Sequence, residues 1–185
     1  MSHPDYRPAD LEARRAALRP RLAAVNINPV TFLATDYLNH FNEAVMLVEM
    51  LPDAPELIEE LGAWRPKDYV GHFSAGSMAM GDIARIAYEI APERYRIPFD
   101  FVTRVASRRL CRDIALLTRV AGGRLAQEAN QTALAVRPLI ALAAAIVNGR
   151  EVEMRSGRFV AGTEATPECA TMAQGEIDKL FAPRD

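Results

Sequence analysis

Val30-Thr31-Phe32-Leu33-Ala34-Thr35-Asp36-Tyr37-Leu38-Asn39-His40-Phe41-Asn42-Glu43-Ala44-Val45-Met46-Leu47-Val48-Glu49-Met50-Leu51 decides the fold. At about 100° per residue, Leu33, Tyr37, Leu38, Phe41, Ala44, Val45, Val48 and Leu51 fill one wide apolar face. The spacing predicts a helix over 30–51 that stops before Pro52-Asp53. Its other side carries Asp36, His40 and Glu43 at i, i+4 and i+7, among Phe32, Met46, Leu47 and Met50. A helix apolar nearly all round is a buried one. The three polar side chains are therefore expected to be enclosed and bonded to each other, because enclosed polar groups need partners. Such a layer fixes helix register without chemistry. The alternative is a metal- or ligand-binding bundle centred on Asp36, His40 and Glu43, with His72 from a second segment. These are too few ligands for a dinuclear carboxylate centre, and no Glu-x-x-His partner motif accompanies them.

Outward from this stretch the chain reads as helices between proline and glycine stops. Residues 9–19 form a basic amphipathic helix ended by Pro20, and Asn26-Ile27-Asn28-Pro29 is a break. Asp53-Ala54-Pro55-Glu56 starts a short acidic helix to Leu61, closed by Gly62. Trp64-Arg65-Pro66 opens a loop or a short turn. Further helices are expected over 80–90, over 99–121 up to Gly122-Gly123, and over 125–147 with Pro138 bending or splitting it. Val152 to Val160 reads as a small hairpin around Ser156-Gly157, or as an ordered loop. The expected fold is all-α: an irregular bundle of six or seven helices over residues 1–161. A linker and a C-terminal amphipathic helix over 162–185 would follow it, started by Thr166-Pro167-Glu168.

A chain of 185 residues, half hydrophobic and a quarter charged, can bury one domain core. The net charge of −2 gives no general pull toward nucleic acid or anionic lipid. No uninterrupted run of about 20 apolar residues is present, so no membrane span is expected. Met1-Ser2-His3-Pro4-Asp5 has no basic segment leading into an apolar one, as a secretory signal would. Cys111 and Cys169 match no metal spacing, and two scattered thiols fit a reducing, cytoplasmic setting.

Arg104, Arg108, Arg112 and Arg119 lie on nearly one face of the 99–121 helix. Like charges one turn apart repel, so the stripe implies acidic company or open solvent. The acidic 53–60 segment is the expected intramolecular partner. Nucleic acid is not expected, since no aromatic residues interleave the stripe. No phosphate-binding glycine loop, dinucleotide fingerprint or nucleophile elbow occurs. Gly71, Gly76 and Gly81 follow no strand, and Ser74 beside His72 is a weak pair. A non-enzymatic protein without a cofactor is the expectation.

The remaining signal is Met172-Ala173-Gln174-Gly175-Glu176-Ile177-Asp178-Lys179-Leu180-Phe181. This segment resembles the response-regulator-binding peptide of flagellar motor switch proteins, Leu-Ser-Gln-x-Glu-Ile-Asp-x-Leu-Leu. Gln174, Glu176, Ile177, Asp178 and Leu180 match in place, and Met172, Ala173 and Phe181 are same-class replacements. The resemblance covers ten residues, and that family carries its peptide at the N-terminus. It implies docking on a receiver domain, the phosphorylated chemotaxis regulator. Ile177, Leu180 and Phe181 would enter a groove while Glu176 and Asp178 face basic residues. A helical body with such a C-terminal peptide is also similar in layout to the chemotaxis phosphatase, which uses an acid and a glutamine one turn apart. Here Glu128 and Gln131 stand at i, i+3, beside Gln127, so the phosphatase spacing is not met. Ala173, Ile177, Leu180 and Phe181 also have the spacing of an ordinary last bundle helix. Gly175, which weakens a helix by about 1 kcal/mol relative to alanine, favours a segment ordered on docking.

Overall fold

The computed structural model describes residues 8–74, 78–155 and 158–161. Among them are seven α-helices: α1 (Pro8–Leu22), α2 (Asn39–Met50), α3 (Ile58–Ala63), α4 (Tyr69–Ser74), α5 (Met78–Glu89), α6 (Glu93–Leu117) and α7 (Gly123–Val147). Short 3-10 turns at Ala23–Val25, Thr35–Leu38 and Pro55–Leu57 join them. Two strands, β1 (Val152–Arg155) and β2 (Arg158–Ala161), pair antiparallel with Val152 opposite Ala161. The fold is an all-α bundle with one small hairpin. The C-terminal segment 162–185 lies outside the described residues.

The apolar face read from the sequence is buried throughout: Leu33, Tyr37, Leu38, Phe41, Ala44, Val45, Val48 and Leu51 all belong to the core. The helix carrying it is shorter than expected. Residues 27–34 form a turn closed by a bridge between Ile27 and Ala34. The Asn28 side chain accepts the N–H groups of Val30 (2.8 Å) and Thr31 (3.1 Å), and the Phe32 N–H donates to the Asn28 carbonyl. An asparagine that captures donors in this way competes with helix formation. Phe32 takes a left-handed φ of 60°, and the 3-10 turn at 35–38 then leads into α2.

Prolines also end fewer helices than their number suggests. α1 runs through Pro20, α6 through Pro98 and α7 through Pro138. Each costs one backbone hydrogen bond, and packing offsets that cost. Pro98 is buried beside Phe99, which is fully enclosed. Accordingly α6 begins six residues before Phe99, with Pro92 preceding its first turn and Glu93 at the positive helix end.

α6 and α7 pack along their length, and α2 lies against α7. α6 contributes Phe99, Val102, Ala106, Leu110 and Leu117, and α7 contributes Ala129, Val136, Leu139, Ala143 and Ile146. With Ile114 and Ala133 filling the gaps, these recur every three to four residues, so each long helix presents one continuous stripe. By length and composition alone α7 is apolar enough to cross a membrane, as the core helix of a helical bundle also can be. In this bundle its apolar stripe is covered by α2 and α6.

Ion pairs tie the helices at their edges. Arg137 on α7 donates through Nε and Nη2 to the two carboxylate oxygens of Glu49 on α2. The pair is partly exposed, so it contributes about 1 kcal/mol or less. Asp113 is buried on α6, where Arg109 donates to Oδ2 and Arg112 to Oδ1 at 3.0 Å. α4 and α5 approach closely at Gly81, where an added Cβ would collide with the Phe73 carbonyl oxygen. That contact gives Gly81 a packing reason.

Candidate functional site

The polar set on α2 is not the enclosed layer expected. His40 is buried, Asp36 is half-buried in the 3-10 turn before α2, and Glu43 is exposed. Met46 and Met50 share the exposed side, which is why the far face of α2 opens to solvent rather than to a second layer. His40 finds its partners elsewhere. Its Nε2 accepts the Lys67 backbone N–H at 3.1 Å, and its ring stacks on Trp64 with centroids 4.7 Å apart. The Trp64 indole N–H donates to the His40 carbonyl at 3.1 Å. Together these bonds hold the 64–68 loop on α2. The His72 ring on α4 lies 6.3 Å from that of His40. Among the described residues no three histidine, cysteine, aspartate or glutamate side chains converge as a metal site would require.

Burial lowers the pKa of both histidines, and the nearby Lys67 charge adds to the effect; Glu43 works against it. The folded protein therefore keeps both imidazoles neutral where the unfolded chain takes up protons, near the ordinary value of about 6.5. Their contribution to stability is complete above that value and is lost as pH falls through it toward the lowered folded pKa. The urea midpoint is expected to drop between about pH 7.5 and 5.5. In His40→Gln, which keeps an acceptor for Lys67, the drop is expected to be shallower. An equally steep profile in that variant would remove His40 from the account.

A chain of rings runs from this corner into the bundle. Tyr37 meets Phe41 at 5.4 Å and His72 at 5.6 Å edge-on, and Tyr69 at 5.3 Å at a tilt. Tyr69 stacks on Tyr88 of α5 at 4.5 Å. The hydroxyls are committed. Tyr37 donates to the Lys67 carbonyl at 2.8 Å, Tyr69 accepts the Ala34 N–H at 2.8 Å, and Tyr88 donates to Asp100 Oδ1 at 2.7 Å. Burial pushes all three phenols well above their usual range, so they stay neutral donors and acceptors.

These rings border a cavity of about 610 Å³ between the 66–68 loop, the start of α4, α5 and α6. Asp100, Thr103, Arg104, Ser107 and Arg108 of α6 line one side, and Lys67 and Asp68 the other. Burial raises the Asp100 carboxyl pKa, against the opposing pull of the Tyr88 hydrogen bond and of Arg96 and Arg104. The Arg96 guanidinium sits 5.9 Å from the Tyr88 ring centre, and its Nε is buried without an acceptor.

The arginine stripe divides along α6. Arg104 and Arg108 reach the cavity, Arg112 pairs with Asp113, and Arg119 is exposed past the helix end. Its acidic company on the cavity side is Asp68 and Asp100 rather than the 53–60 segment. On α7, Gln127 is exposed, and Glu128 lies 4.0 Å from Arg124 as part of a helix-surface pair. Ser74 donates to the Val70 carbonyl, which engages its hydroxyl within α4, away from any pairing with His72. Sequence reasoning missed Lys67, Tyr88 and Asp100. Their one visible signal is Asp100, Arg104 and Arg108 at i, i+4 and i+8 on α6. Gln174, Glu176, Ile177, Asp178, Leu180 and Phe181 lie outside the described residues. No protein-family model matches the chain, and neither the curated proteins nor the solved structures contain a significant match to it.

Proposed function

We propose that this chain is a non-enzymatic regulatory or adaptor protein that docks through residues 172–181 on a receiver domain, in bacterial chemotaxis or two-component signalling. One observation carries the reading: Gln174, Glu176, Ile177, Asp178 and Leu180 stand in the register of the motor-switch peptide. Apolar spacing alone would serve any terminal helix. Packing does not require an amide at 174 or carboxylates at 176 and 178, whereas recognition of a basic groove does. The helical body is the scaffold, and its described core runs from Leu18 to Val152. Such a role belongs in the cytoplasm, where receiver domains are phosphorylated.

The mode is a helix laid in a groove, with apolar anchors one turn apart and acids at the rim. A synthetic peptide of residues 166–185 is the direct test. It is expected to compete with the full chain for the phosphorylated chemotaxis regulator and to bind the unphosphorylated form more weakly. A peptide that leaves the complex intact at saturating concentration would reject this reading.

A further inference from the structure

We infer that the cavity between the 66–68 loop, the start of α4, α5 and α6 binds a small phosphorylated, hydroxyl-bearing molecule, with Arg104 and Arg108 taking the phosphate and Asp100 a hydroxyl. The site is independent of the tail. Its volume of about 610 Å³ is within the usual range for small-molecule pockets. Charge, position and rigidity of the lining together define the ligand class.

Charge is the first. Lys67, Arg104 and Arg108 line the cavity against only Asp68 and Asp100, and burial pushes Asp100 toward its neutral form. Arg104 and Arg108 stand one turn apart on α6, and neither forms an ion pair among the described residues. Like charges one turn apart on a helix repel, and a shared anion relieves that repulsion. Their planar forks match phosphate oxygens, and Ser107 adds a hydroxyl to the same lining.

Position is the second. Asp100 lies one further turn along the same helix, on the same side, with one oxygen held by Tyr88 at 2.7 Å. A carboxyl fixed in this way is placed to accept from a hydroxyl, and Asp68 provides a second acceptor across the cavity. Donors at one end and acceptors at the other suit a molecule that is anionic at one end and hydroxylated along its body.

Rigidity is the third. The hydroxyls of Tyr37, Tyr69 and Tyr88 are all bonded, Tyr69 stacks on Tyr88, and Tyr37 packs at a tilt against Tyr69. The aromatic wall is thus formed before any ligand arrives, which lowers the ordering cost of binding.

Calorimetric titration of the full chain with ribose 5-phosphate tests this, with inorganic phosphate and ribose as separate arms. The expected result is saturable one-to-one binding of ribose 5-phosphate, weakened by salt, with inorganic phosphate weaker and ribose alone silent. Arg104→Gln together with Arg108→Gln is expected to weaken binding at least about tenfold. Both side chains are exposed, so the fold is retained, as circular dichroism would verify. Asp100→Asn is expected to keep phosphate binding and lose the advantage of the sugar. Saturable binding that the double arginine variant leaves unchanged would overturn the assignment. So would the absence of binding by either phosphate probe.

Discussion

Phe99→Ala is expected to destabilise the protein by about 3–5 kcal/mol, read as a lower urea midpoint at unchanged slope. Phe99 is fully enclosed on α6, with ring centroids 5.9 Å from both Tyr37 and Tyr69. Removing it leaves a void where the 3-10 turn before α2, helix α4 and helix α6 meet. The surrounding rings cannot close it freely, because the Tyr37 and Tyr69 hydroxyls are tied to the Lys67 carbonyl and the Ala34 N–H. Leu134→Ala is the matched control. Leu134 is 75% exposed on α7, so its loss is expected to fall within about 0.5 kcal/mol. Equal effects from the two substitutions would contradict the packing described.

The second large effect is on binding. Ile177→Ala with Phe181→Ala is expected to weaken the complex with the phosphorylated receiver by about a hundredfold or more. Each anchor is worth about 1.5–3 kcal/mol when fully buried, and about 1.4 kcal/mol corresponds to a factor of ten. Asp178→Lys is expected to act differently, slowing association through lost charge complementarity while dissociation changes less. Stopped-flow mixing separates the two. A double-alanine variant that binds like the parent would mean that these apolar residues are not the anchors.

The fold was legible where one face of one helix carried the information. The eight apolar positions between Leu33 and Leu51 were readable from spacing and are all buried. The beginning of that helix was hidden because side-chain hydrogen bonding, which spacing does not encode, takes the Val30 and Thr31 donors to Asn28. Proline was over-read at position 20, where α1 continues to Leu22 and the lost backbone bond is set against the burial of Leu18 and Leu22. α4 escaped notice because it is six residues long and holds a glycine. Its start is fixed by the Asp68 carboxylate accepting the Gly71 N–H at 2.6 Å.

The candidate pocket was nearly invisible for a different reason. Tyr37, Lys67, Tyr88 and Asp100 come from four separate segments, and only the folded chain brings them to one cavity. The arginine stripe did signal a need for acidic company, but the sequence offered the 53–60 segment as readily as Asp68 and Asp100. On α2, the polar trio was visible as a pattern. Its meaning was misread because Met46 and Met50, counted as covering groups, are exposed. The tail is the opposite case. Its reading rests on residue identity in the sequence and owes nothing to the bundle.

The central claim is that residues 166–185 carry the partner interaction and the bundle does not. It is tested most directly by titrating the phosphorylated chemotaxis receiver with the full chain and with a chain ending at residue 165, alongside thermal unfolding of both. The account predicts saturable binding by the full chain, none by the shortened one, and the same cooperative unfolding transition in each. A shortened chain that still binds the receiver with undiminished affinity, or that no longer folds, would contradict it.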